Sequence, residues 1–273
     1  MAALQCVSLL TDYGLEDGFV AACHGVVARI APAARVIDIT HLVPPGDVRR
    51  GATVLAQTVP YLPEGVHVAV VDPGRAGARR AIAVTAGDRV FVGPDNGVLS
   101  WAVHAATGPV RAYELTNRKL WLEPASATFR GRDVFVPVAA HLAGGLEPSE
   151  VGAEVDPAGL VSLKLPVRRL QEAAGTVDGE VLSIDRFGNV QLSVTALDLD
   201  RLDISTGSDL LLVIGRRRRL VVPYRESFAA VAPGELVAYP DAVRCIALAV
   251  NSGDAAQVLA LPPGAHVQIG AEL

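Results

Sequence analysis

The residues best placed to do chemistry sit in the run VVDPGRAGARR (70–80). An apolar stretch from Val66 to Val71, broken only by His67, delivers Asp72 to a Pro-Gly turn, and Arg79 follows seven residues later. Open α/β sheets put their chemistry outside the carboxyl ends of strands, so this carboxylate is a candidate for chemistry; capping a turn is the competing reading. Six further polar-glycine punctuations share the pattern: LLTDYGLEDGF (9–19), DITH (38–41), VGPDNGVL (92–99), TFRGRDVF (128–135), IDRFGN (184–189) and AVNSGDAA (249–256). Asp12 closes the first apolar strand, where a carboxylate accepts both hydrogen bonds of a ribose diol or, alternatively, forms an Asx-turn. Asp185, Phe187 and Asn189 set a carboxylate, an aromatic face and a carboxamide within five residues of a turn. Such a set can clamp an amine, stack a purine and bond its edge; a β-turn with one buried Phe is the alternative. Asp95-Asn96-Gly97 reads as a structural turn, since Asn-Gly tolerates left-handed backbone.

Other chemistries are unsupported. The six histidines do not approach metal-ligand spacing such as HxxxH, and none pairs with a cysteine motif; no metal is expected. His41 reads as a satisfied structural residue. GxGxxG, GxxxxGK[ST] and GxSxG are all absent, which leaves a dinucleotide fingerprint, a P-loop and an α/β-hydrolase without support. Net charge is −5, with no basic stripe of the nucleic-acid-binding kind. The one basic run, Arg216–Arg219, reads as a solvated hairpin turn between apolar strands. Three cysteines, Cys6, Cys23 and Cys245, are odd in number and without CxxC spacing; they read as small core residues in a reducing, cytoplasmic compartment. Nothing has the length of a membrane span or the form of a leader.

The elements that must position these residues follow from the hydrophobic pattern. With 273 residues, 51% of them apolar, the chain readily buries a sizeable core. In the first part, strand signals (Val7–Leu10, Arg35–Ile39, Val66–Val71) alternate with helical periodicity (Asp17–Ile30, Asp47–Leu62). A strand pair, Ala81–Thr85 and Arg89–Val92, follows, then helices over Val98–Ala106 and Asp133–Leu142. This order predicts an α/β fold, a mostly parallel sheet with helices on both faces. Asp17 is placed to cap the first helix and stands second as a substrate contact. From about residue 165 the texture changes to short apolar runs between Gly, Asp, Asn and Pro, which predicts an all-β barrel domain. The expected domains are 1–165 and 166–273, with Lys164–Gly175 as connector.

Taken together, the seven motifs resemble those of the S-adenosyl-L-methionine (SAM) hydroxide adenosyltransferases, the adenosine-forming SAM hydrolases related to SAM-dependent fluorinase and chlorinase. The resemblance covers nearly the whole chain in the family's motif order. It implies attack of water or hydroxide on the ribose C5′ of SAM, with SAM as substrate, no cofactor, and L-methionine as leaving group. It also implies a homotrimer whose sites lie between one subunit's N-terminal domain and the next subunit's C-terminal domain. By this resemblance Asp72 and Arg79 belong to an Asp-Arg-His set that holds the water. Asp12 matches the ribose-diol carboxylate, and Asp185 a contact to the methionine amine. Phe187 and Asn189 match adenine contacts, and the backbone at Asn251-Ser252 reads the adenine edge.

Within the family, halogenating members carry a tyrosine where this chain has Asp72. A carboxylate there repels a halide by several kcal/mol at short range, even at an effective dielectric of about 20, so hydrolysis is favoured over halogenation. Departures cluster around the same pocket. Arg130 holds the triad histidine position and, being always protonated, cannot take a proton from water. Gly46 replaces an aromatic, Arg75 a small apolar residue, Ala242 a serine and Arg244 a glycine. Besides an active hydrolase, these leave open a catalytically impaired SAM- or adenosine-binding protein, or an adenosyl-transferring enzyme that uses another anion.

Overall fold

The computed structural model describes residues 6–72, 79–215 and 218–272. The chain divides into two compact units, Met1–Leu163 and Lys164–Leu273.

The first unit is built on a seven-stranded sheet. Its strands are β1 (Cys6–Thr11), β2 (Arg35–Thr40), β3 (Val66–Val70), β4 (Ala81–Ala86), β5 (Arg89–Pro94), β6 (Val110–Glu114) and β7 (Glu154–Val155), in the order β2-β1-β3-β5-β4-β6-β7. The ladders β1–β2, β1–β3 and β3–β5 are parallel, whereas β4, reached from β5 by a tight hairpin, runs the other way. Period-2 alternation sorts the buried side chains between two cores. Val7, Leu9, Val66, Val68 and Val70 pack under helices α1 (Phe19–Ile30) and α4 (Val136–Ala143). Leu10, Ala69, Val71 and Phe91 pack under α2 (Val48–Thr58) and α3 (Ser100–Ala105). The sheet is thus covered on both faces, as the sequence pattern predicts.

Three local expectations are corrected. Asp17 does not cap α1: Gly18 takes that position without a side-chain bond, and Asp17 is exposed. Asp47, by contrast, caps α2 through the Arg50 amide at 2.9 Å. The helix expected from Asp133 opens with a π-helical turn over Gly131–Phe135 before α4 begins. Strands β6 and β7 left no signal in the sequence: VRAYE mixes charge into the strand, and β7 has two residues.

The second unit is antiparallel throughout its ladders. Strands β8 (Arg168–Gln171), β9 (Thr176–Ile184), β10 (Val190–Thr195), β11 (Asp209–Ile214), β12 (Arg218–Pro223), β13 (Leu236–Pro240), β14 (Cys245–Val250) and β15 (His266–Ala271) form one sheet, ordered β12-β11-β15-β9-β10-β14-β13, with β8 on β9. A bridge between Tyr224 and Ala238 brings the two ends together, giving the nearly closed barrel the sequence implies. The supposed connector therefore contributes a strand, since Arg168–Gln171 pairs with β9. Two short helices, α5 (Ala196–Asp200) and α6 (Ala255–Leu259), plug the barrel with Leu199 and Leu259. Arg218 is not simply solvated: its guanidinium donates to the Leu259 carbonyl at 2.6 Å, capping the end of α6. Arg216 and Arg217 lie outside the described residues. Cys6 and Cys23 are buried and Cys245 half-buried, all as free thiols. Among the described residues no helix is long and apolar enough to cross a membrane.

Candidate active site

Because β2, β1, β3 and β5 run parallel, the residues just past their carboxyl ends fall on one sheet edge: His41, Asp12, Asp72 and Asp95. Each plays a different part. Asp95 is buried and structural: it takes two hydrogen bonds from Arg80 (3.0 and 2.7 Å) on one oxygen and the Val161 amide (2.8 Å) on the other. Its neighbour Asn96 donates to the carbonyl of Val71 at 2.8 Å and accepts from the Val98 amide. The turn expected at 95–97 is real, with Gly97 at φ +95°, and it fixes the backbone immediately before Asp72.

Asp72 is two residues past β3, with its side chain 41% exposed. Its Oδ1 accepts from Arg79 Nη1 at 2.7 Å, so the two residues singled out in the sequence form an ion pair, and the second carboxylate oxygen takes no hydrogen bond among the described residues. The turn between them, including Arg75, lies outside the described residues. Asp12 is half-buried and accepts from the Gly46 amide at 2.9 Å. Burial pushes its carboxyl above the ordinary range, and the charge of Asp72 adds to this; the amides of Gly46 and Asp72 oppose it. Gly46 holds φ +72°, a conformation that an aromatic residue adopts only under strain. Here glycine lets the backbone itself reach Asp12.

In TFRGRDVF the charges separate by role. Asp133 is buried, pairs with Arg132 through both oxygens and accepts the Ser126 amide; the Arg132 guanidinium holds its carboxyl below the usual range. Arg130 points elsewhere: its Nη1 donates to the Arg79 carbonyl at 3.1 Å, and its guanidinium lies 5.4 Å over the Phe135 ring. It therefore touches the Asp72 partner's backbone, with no ion pair to Asp72 among the described contacts. Gly131 is required because a Cβ there would run into the hydroxyl of Tyr13, whose ring packs edge-on against Phe19 and Phe129. A single π turn beside a site is a common place for such close approach. Arg79, Arg80, Arg118 and Arg130 together line a cavity of about 480 Å³. Asp17 is exposed and has no hydrogen bond among the described residues.

The second unit carries its own cluster. Asp185 Oδ1 accepts from the amides of Phe187 (2.8 Å) and Asn189 (2.9 Å), while Oδ2 accepts from Asn189 Nδ2 (2.8 Å). Three of roughly four acceptor sites on the carboxylate are used to fold the loop, and one is left. Phe187 is 67% exposed, which excludes the buried-Phe reading of this turn. Asn251 is anchored through Nδ2 to the Val231 carbonyl at 2.7 Å, and Ser252 follows with φ +59°.

Two family models match the chain: the SAM hydroxide adenosyltransferase N-terminal domain over residues 7–152 and the corresponding C-terminal domain over residues 179–268. The chain belongs to the SAM hydroxide adenosyltransferase family. It is 52% identical over 271 residues to the (R)-S-adenosyl-L-methionine hydrolase of Salinispora arenicola (strain CNS-205), covering 99% of this chain and all of that one. A fluorinase of Actinoplanes sp. (strain N902-109) is 26% identical over 96% of each chain. The crystal structure of an uncharacterized conserved protein from Thermotoga maritima superposes with a TM-score of 0.87 at 35% identity, over 97% of this chain and 99% of that one.

Arg244 has φ +67°, the left-handed conformation that favours glycine, and Ala242, two residues before it, is exposed. One grouping is only half visible in the sequence: DITH (38–41) supplies Asp38 and His41, but His41 is not the satisfied structural residue expected, since its Nε2 has no hydrogen-bond partner, and nothing in the sequence connects His24 with them. His24, Asp38 and His41 converge, with ligand atoms within 4.8 Å of one another, although 14 and 3 residues separate them along the chain. His24 carries no motif signal because α1 and β2 bring it to Asp38 only in the fold.

Proposed function

We propose that this protein hydrolyses (R)-S-adenosyl-L-methionine to adenosine and L-methionine. A water oxygen forms a bond to the ribose C5′ as the C5′–sulphur bond breaks; the bonding pair leaves with sulphur, and Asp72 accepts the water proton. The sulfonium is a good leaving group, so the protein's main task is to position a desolvated nucleophile in line. Arg79 orients Asp72, and Arg130 holds Arg79 from behind through its carbonyl. Asp12 takes the ribose hydroxyls. The methionine ammonium takes the remaining acceptor site on Asp185, adenine stacks on the exposed Phe187 and reaches Asn189, and the backbone at Asn251-Ser252 reads its edge. The protein acts as a homotrimer in a reducing cytoplasm, with this second set supplied by a neighbouring subunit. The observation that carries the reading is the Asp72–Arg79 ion pair at 2.7 Å beside Asp12 on one strand edge, together with relatives named as hydrolases of that substrate.

The test is Asp72→Asn, with adenosine and methionine quantified by chromatography from separate (R)- and (S)-epimer incubations. General-base catalysis contributes about 10²–10⁴-fold, so turnover of the (R)-epimer falls by that factor while calorimetric binding persists. Wild-type turnover in the variant refutes the assignment of Asp72, and binding without products in the wild type identifies a binding protein instead. A second reading, transfer to an anion, is favoured by the four arginines around one cavity; a 5′-chloro-5′-deoxyadenosine product in chloride would establish it.

A further inference from the structure

We propose that His24, Asp38 and His41 form a binding site for a divalent transition-metal ion of the zinc class. His24 Nε2 lies 2.8 Å and His41 Nε2 3.0 Å from the same oxygen, Asp38 Oδ1, and all three ligand atoms fall within 4.8 Å. Two imidazole nitrogens and one carboxylate oxygen are a recurrent donor set for zinc, with a fourth position open to water. Ligand bonds of about 2.0–2.2 Å place tetrahedral ligand atoms about 3.3 Å apart, so the two separations to Asp38 need to open by a few tenths of an ångström and the imidazole pair, within 4.8 Å, to close by a side-chain rotation.

The independent sign is His41. Its side chain is 97% buried by complement of its 3% exposure, yet its Nε2 has no hydrogen-bond partner. Asp38 Oδ1 lies 3.0 Å from it without the direction of a good hydrogen bond. Its other nitrogen is held from behind: Nδ1 lies 2.8 Å from Thr11 Oγ1, the kind of outer contact that fixes a metal-binding imidazole in place. His24 and Asp38 are 39% and 38% exposed, which gives an ion a path in.

Such an ion would tie α1 to the end of β2 and to the backbone that holds the segment after Asp12, since the His41 carbonyl accepts the Gly14 amide at 2.8 Å. The site is separate from the Asp72–Arg79 pair, and its test does not depend on the reaction proposed above. Tag-free, chelator-treated protein is titrated with Co²⁺, followed by visible absorption, and then with Zn²⁺. One equivalent of Co²⁺ gives low-symmetry d–d bands that Zn²⁺ displaces, and Zn²⁺ raises the melting temperature. His24→Ala, on an exposed helix face, weakens binding about a hundredfold or more and removes the Zn²⁺ effect on melting, and Asp38→Asn does the same. Absence of bands at millimolar Co²⁺ overturns the site. Bands of equal strength in wild type and His24→Ala overturn it as well, by assigning the metal to other histidines.

Discussion

Acidification should loosen the strand that carries Asp72, and His67 sets by how much. His67 is fully buried in β3, with Nδ1 2.8 Å from Ser8 Oγ and Nε2 without a partner. Burial, with the Arg89 charge adding, pushes its pKa down to about 4 from an ordinary 6.5. The folded protein thus binds fewer protons here than the unfolded chain at any pH between these values. The stabilisation is complete above pH 6.5 and is lost as pH falls through 6.5 toward 4. Integrating the linkage relation from pH 7 to pH 5 gives a loss of about 2 kcal/mol from this one group. His67→Gln keeps a polar side chain near Ser8 but does not titrate. Urea denaturation of both proteins at pH 7 and pH 5 then isolates the effect: the wild type should lose about 2 kcal/mol more than the variant. His141, also lowered by burial, acts with the same sign in both proteins and cancels. Parallel pH profiles would refute the argument, since they would mean that the ring is protonated in place or was never desolvated.

The remaining expectations concern the site. Asn96→Ala strips the Val71 carbonyl of its side-chain donor; leaving a buried acceptor unpaired costs about 1–3 kcal/mol, and kcat should fall with KM little changed, as for a residue that positions Asp72. Gly131→Ala drives a methyl into the Tyr13 ring; overpacking costs about 1–3 kcal/mol, and KM should rise because Tyr13 adjoins Asp12, both read from melts and steady-state kinetics. Arg130→His removes the hydrogen bond to the Arg79 carbonyl; a charged bond of about 1.5–3 kcal/mol corresponds to roughly 10–100-fold in kcat/KM, whereas a rate increase would show that the arginine impedes the reaction.

What was legible in the sequence is what one strand and its turn encode locally. Val66–Val71 and Val7–Leu10 are apolar enough to read as buried strands, so Asp72 and Asp12 could be placed at their ends without knowing how the strands pair. The parallel order then put both on one edge. What was hidden depends on distant partners. Nothing near Asn96 announces that its amide will hold Val71, and nothing in TFRGRD says that Gly131 is needed to admit Tyr13. His24 looks like a helix residue until β2 lies beside α1. Asp17 misled because a carboxylate before an apolar run is a common cap, yet the backbone turns one residue later, at Gly18. β6 was obscured by Arg111, whose charge is spent on Glu154 of β7 at 2.8 Å, a pairing visible only once the strands are adjacent.

The electrostatics of the site argue for water as nucleophile. Asp12 and Asp72 bring two negative charges to neighbouring strand ends, close enough for Asp72 to act on Asp12. Arg79 contacts Asp72 directly and offsets one of them. An anion approaching the second oxygen of Asp72 at 4 Å therefore meets a repulsion of about 4 kcal/mol at an effective dielectric of 20 that Arg79, on the other oxygen, only partly cancels. Neutral water meets an acceptor instead, and the same carboxylate that repels a halide aligns its O–H. Arg130 does not reverse this balance from where it stands: its Nη1 is engaged with the Arg79 carbonyl, and its plane is stacked on Phe135. By holding the Arg79 backbone it supports the Asp72–Arg79 pair, and being always protonated it cannot itself accept a proton. If Asp72 takes the proton as proposed, turnover does not need a second proton acceptor at position 130.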